Sequence, residues 1–114
     1  MRQTDIENAE HYTWGDACHG WHFLKTDNLS VIRERMPQGT TERLHYHEKS
    51  QQFFYILSGE AAFQVEGAVH RVIAGQGMAI MPGERHKIYN DSAEMLEFIV
   101  ISSPKSHGDR MNLD

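Results

Sequence analysis

The chain has a single cysteine, Cys18, among 114 residues. One thiol cannot form an internal disulfide, and it cannot build a cysteine-cluster zinc site. A secreted, disulfide-stapled scaffold is therefore excluded, and a reducing cytoplasmic setting is expected. Long apolar runs are also missing. The first residues, MRQTDIENAEHYTW, are polar and lack the hydrophobic stretch of a signal peptide. No later segment has the length of apolar sequence that spans a bilayer, so no membrane partner is expected. Positive charge is sparse and scattered: 11 Lys and Arg stand against 16 Asp and Glu, a formal net charge of −5. That balance argues against a nucleic-acid-binding surface. Helix-period patterning is absent after residue 30.

What is present is a series of short β-type runs broken by turn residues. Leu29–Met36 ends at Pro37-Gln38-Gly39. Gln52–Leu57 closes at Ser58-Gly59, Ala61–Val65 at Glu66-Gly67, and Val69–Ile73 at Ala74-Gly75. Met78–Met81 stops at Pro82-Gly83, Arg85–Tyr89 at Asn90-Asp91, and Glu94–Ser102 before Pro104. Turns every 8–12 residues are the spacing of a β-sandwich or barrel. The length suits one domain with its own core. Residues 1–28 read as an arm packing on the barrel or on a dimer partner, with an irregular Trp14–His22 stretch. Residues 29–104 read as the barrel, and 105–114 as a polar, solvated tail. Asp109 and Arg110 folding over the barrel mouth is the less favoured alternative.

Histidine is conspicuous, with eight residues. His45 and His47 flank Tyr46, so on a strand they share one face. Such a pair is half a metal site. Gln52 follows a polar turn, Glu48–Gln51, and can open a neighbouring strand with its amide aimed at the same interior; Phe54 and Ile56 share its face. His86 follows Pro82-Gly83-Glu84-Arg85 at the start of another strand. Three imidazoles and an amide oxygen suit one divalent transition metal, Zn, Mn, Fe or Ni, with coordination positions left open. Spacing alone does not bring His86 to the other two.

Residues 39–59 resemble the first motif of the cupin superfamily, G-x5-H-x-H-x3,4-E-x6-G, at Gly39, His45, His47 and Gly59. The motif's glutamate position carries Gln52. Residues 75–90 resemble the second motif, G-x5-P-x-G-x2-H-x3-N, at Gly75, Gly83, His86 and Asn90, with Met81 at its proline position. The resemblance implies an all-β, double-stranded β-helix (jelly-roll) barrel that pairs as a homodimer. It also implies one metal held by His45, His47, Gln52 and His86. Glutamine in place of glutamate makes the ligand set neutral, which strengthens the Lewis acidity of the ion and weakens its binding.

Three functions follow from the resemblance. The leading one is metal-assisted isomerisation or ring opening of a small sugar or sugar-acid-like molecule, with Glu34, or else metal-bound hydroxide, as the catalytic base. An iron-dependent dioxygenase is the second, and a non-catalytic ligand-binding or sensor barrel the third. Along Arg33-Glu34-Arg35, either the carboxylate or the two guanidiniums face the cavity. Cys18 and His22 form a weaker candidate pair for a second metal.

Overall fold

The computed structural model describes residues 1–113. Its regular structure is eleven strands: β1 (Glu10–Trp14), β2 (Cys18–Lys25), β3 (Ser30–Met36), β4 (His45–His47), β5 (Gln51–Ser58), β6 (Glu60–Val65), β7 (Ala68–Ile73), β8 (Gly77–Ile80), β9 (His86–Tyr89), β10 (Leu96–Ser103) and β11 (Arg110–Asn112). They form two antiparallel sheets. The six-stranded sheet runs β1-β2-β3-β10-β5-β8, and the five-stranded sheet runs β11-β4-β9-β6-β7.

Alternation places the side chains. On β5, Gln52, Phe54 and Ile56 are buried while Phe53, Tyr55 and Leu57 are exposed, as the period of two requires. On β3 the inward set is Ser30, Ile32, Glu34 and Met36; on β10 it is Leu96, Phe98, Val100 and Ser102. The inner faces meet in one core. Phe54 packs against Phe63 of the other sheet, with ring centroids 5.1 Å apart, and against Phe98 at 5.7 Å. Burying a side chain of this size is worth roughly 3 kcal/mol.

The turns are built by residues suited to them. Glu66 and Gly67 both have positive φ, 48° and 85°, which closes the β6–β7 hairpin with the twist that two-residue turns favour. Gly59 (φ +83°) lies where a Cβ would fall 2.6 Å from the Met95 carbonyl oxygen, so only glycine passes there. Asn90 is buried; its amide donates to the carbonyls of Met36 (2.9 Å) and Glu94 (2.8 Å). It ties the exit of β9 to the end of β3 and the approach to β10.

Two expectations are corrected at the chain ends. The Trp14–His22 stretch is not irregular: it supplies the end of β1 and half of β2, which pair from Glu10↔His22 to Trp14↔Cys18. Its outer face is aromatic rather than polar, so alternation gave no sign of a strand. His19 stacks on Trp21, and the Arg35 guanidinium lies over that indole. The tail is not simply solvated either. Arg110–Asn112 pairs with His45–His47 as an edge strand, a long-range pairing with no local signature.

Candidate metal centre

The two sheets place the candidate residues by different means. His45 and His47 come from β4, both buried, with Tyr46 turned the other way. His86 opens β9 and pairs directly across from His45. The Pro82-Gly83 turn seats it: the Gly83 N–H donates to the His47 carbonyl at 2.7 Å. Ring centroids are 4.3 Å apart for His45–His86 and 5.0 Å for His45–His47. The ligand nitrogens of all three lie within 4.8 Å of one another, close enough to share one ion.

Each ring is held by a backbone carbonyl. Nδ1 of His45 lies 2.8 Å from the Arg43 oxygen, Nδ1 of His47 3.0 Å from the Asp109 oxygen, and Nδ1 of His86 2.9 Å from the Glu84 oxygen. A carbonyl only accepts, so each Nδ1 carries the proton and the ring's lone pair is on Nε2. This is the outer-shell arrangement that orients histidine ligands around an ion. Nε2 of His86 is buried with no hydrogen-bond partner. Burial, reinforced by the neighbouring His45 and His47, pulls the His86 pKa down to about 4, so it stays neutral and able to ligate.

Gln52 faces the same cavity from the opposite sheet. Its Nε2–H donates to Ser102 Oγ at 3.0 Å. Its Oε1 is buried and unpartnered. An unmet buried acceptor is costly, and a cation satisfies it. Three lone-pair nitrogens and one amide oxygen therefore fit a divalent metal by their own chemistry.

The cavity measures about 350 Å³ and includes Tyr12, Trp14, Glu34, Glu42 and Arg110 in its walls. Glu34 faces inward, while Arg33 and Arg35 point outward, where both ion-pair with Glu97 at 2.5 and 2.7 Å. Burial and the nearby Glu42 charge push the Glu34 pKa up to about 8. Tyr12 lies across Gly20, where a Cβ would sit 2.2 Å from its ring, and so reaches the cavity wall from β1. Burial and the two carboxylates raise the Tyr12 hydroxyl as well.

Glu42, Ser106, His107 and Gly108 also line the cavity and were not anticipated. Glu42 lies just outside β4, where no alternation orients it. Its carboxylate accepts the Ile88 N–H at 3.0 Å and faces Arg110 at 3.6 Å. Cys18 and His22 do not form a second centre. Cys18 is fully buried in the core, and the His22 ring lies tilted against Tyr12 and edge-on to His107.

The geometry defines a double-stranded β-helix barrel with a metal-type histidine cluster inside. Residues 32–102 match the Cupin domain family, and the chain belongs to it. An oxalate-binding protein of Thermotoga maritima is 35% identical over 69 residues, which is 60% of this chain and only 57% of that protein. An uncharacterised Streptomyces coelicolor protein is 30% identical over 84 residues, 74% of this chain and 79% of its own length. Among solved structures, a predicted oxalate decarboxylase from Thermotoga maritima superposes with a TM-score of 0.80 at 24% identity, over 91% of this chain and all of its own. The polyketide cyclase RemF of Streptomyces resistomycificus has a TM-score of 0.84 at 14% identity, over all of this chain and 86% of its own. At these identities the structures speak for the fold alone.

Proposed function

We propose that the chain is a metal-dependent enzyme that moves a proton beside a carbonyl group of a small molecule with adjacent oxygens. This is the chemistry of isomerisation or ring opening, for which sugar-like and sugar-acid-like compounds are suitable substrates. The observation that carries the reading is Glu34: a carboxyl in the same cavity as His45, His47 and Gln52, with its pKa raised to about 8. A general acid or base works best when its pKa lies near the working pH.

His45, His47, His86 and Gln52 would hold a divalent ion, which would supply Lewis acidity toward an oxygen of the bound molecule. The neutral ligand set leaves the positive charge of the ion undiminished. The rest belongs to the chain. Carbonyl contacts from Arg43, Asp109 and Glu84 hold the three rings in one tautomer. Ser102 orients the Gln52 amide. Glu34 takes the proton from the carbon next to the carbonyl and returns it at the neighbouring position. Tyr12 and Trp14 wall off solvent above it.

The test is proton exchange. A zinc- or manganese-loaded sample is incubated with candidate hydroxyketones in D₂O without oxygen, and deuterium at the carbon beside the carbonyl is followed by NMR. Exchange that disappears in Glu34→Gln supports the reading. Equal exchange in that variant, or turnover that requires oxygen, contradicts it.

A further inference from the structure

The inner face of the six-stranded sheet is layered by its strand register. Ser30, Ser102 and Gln52 form one cross-strand row, and it is polar. The next row, Ile32, Val100 and Phe54, is apolar. In the row after that, Glu34 stands beside Phe98 and Ile56, with Tyr12 in line across Gly20. Polarity therefore drops from the first row to the second, and the third brings in two ionisable groups, the Glu34 carboxyl and the Tyr12 hydroxyl, neither of them a cation.

Cations are scarce in this cavity. Among its described lining residues, Arg110 is the only permanently charged one, and it faces the Glu42 carboxylate at 3.6 Å. Burial and the charges of Lys25, Lys105 and Arg110 lower the His107 pKa. A phosphate or second carboxylate at the far end of a ligand would meet aromatic rings and Glu34, and the one lining cation, Arg110, is already engaged by Glu42. Burying an anion in that way is strongly unfavourable.

We infer that this cavity selects ligands whose charge is confined to the oxygen pair facing the histidines, and whose far end is uncharged and packs on Tyr12, Trp14, Ile32, Phe54 and Val100. The inference rests on the metal-centre reading above and narrows its substrate class. Phosphorylated sugars and dicarboxylates fall outside it; neutral sugars, hydroxyketones and monocarboxylates with a compact apolar body fall inside.

The test uses two probes with the same keto-carboxylate edge and different far ends. Zinc-loaded protein, its loading checked by elemental analysis, is titrated calorimetrically with α-ketoisocaproate and with α-ketoglutarate. The first binds about tenfold or more tightly than the second. Above pH 8, where Glu34 is ionised, Glu34→Gln narrows the gap by strengthening α-ketoglutarate binding, and Trp14→Ala weakens α-ketoisocaproate binding. Equal affinities, a preference for α-ketoglutarate, or no binding of either probe to the zinc-loaded protein overturns the inference. Failure of zinc to load overturns the metal reading beneath it instead.

Discussion

The backbone carbonyl of Asp109 accepts the Nδ1–H of His47 at 3.0 Å, while the Asp109 carboxylate accepts the N–H groups of Lys49 (3.0 Å) and Ser50 (2.9 Å). One residue thus fixes a ring of the candidate centre and ties the C-terminal segment to the turn that follows β4. The N–H groups of Lys49, Ser50 and Glu48 hold the Asp109 pKa below its ordinary value, the Lys49 N–H contributing most. Asp109→Ala removes the tie and frees the carbonyl to drift. Zinc affinity, read by chelator competition, is expected to fall about tenfold or more, with the barrel still folded by circular dichroism. An unchanged affinity would show that the tail has no part in the centre.

Gln52 gives a prediction of opposite signs. Gln52→Glu places a carboxylate where the unpartnered Oε1 now lies, and divalent-ion affinity rises by about tenfold. Gln52→Ala removes the oxygen and lowers it. If both variants bind zinc like the parent, Gln52 is not a ligand.

The pH dependence of stability follows from Glu34. Its folded pKa, about 8, lies above the model-compound value of 4.5, so between these values the folded state holds a proton that the unfolded chain releases. Stability from this group therefore falls as pH rises through that window, by about 1.4 kcal/mol per unit at most, and levels off above it. His86, with its lowered pKa of about 4, acts in the opposite direction but only below about pH 6.5. The interval free of His86 is thus 6.5 to 8. In metal-free samples the urea midpoint of the parent should fall across it, and that of Glu34→Gln should fall less steeply, the raised Glu42 carboxyl contributing what slope remains. Parallel curves would refute the shifted carboxyl.

Two glycines separate backbone strain from crowding. Gly67 has φ +85° with open space around it, whereas Gly59 has φ +83° with the Met95 oxygen in the way. Gly67→Ala should cost about 1 kcal/mol, from the left-handed backbone alone. Gly59→Ala should cost about 3 kcal/mol, because the β5–β6 link must also move off the chain before β10. Equal losses in denaturant unfolding would contradict the close approach.

The site was legible where two signals coincided. Gln52-Phe53-Phe54-Tyr55-Ile56 alternates cleanly, so its faces could be assigned before the sheet was known. The histidine spacings matched a family pattern whose sheet partners the structure supplies. Other features needed long-range information. In Arg33-Glu34-Arg35 every residue is charged, so patterning left two orientations open; pairing of both arginines with Glu97 across the outer face resolves them. β1 and β2 were hidden because their outward residues are aromatic and histidine, packed on each other rather than polar. Arg110 reaches the cavity through backbone pairing with β4, which no local residue preference encodes.

The central claim is that His45, His47 and His86, with Gln52, hold one divalent ion. It is tested most directly by elemental analysis of protein purified without chelators, followed by zinc titration of the parent and of His47→Ala and His86→Ala. The account predicts one ion per chain in the parent, and loss of it in both variants while the β-sheet spectrum is retained. A parent chain that carries no stoichiometric metal and binds none on titration would contradict it.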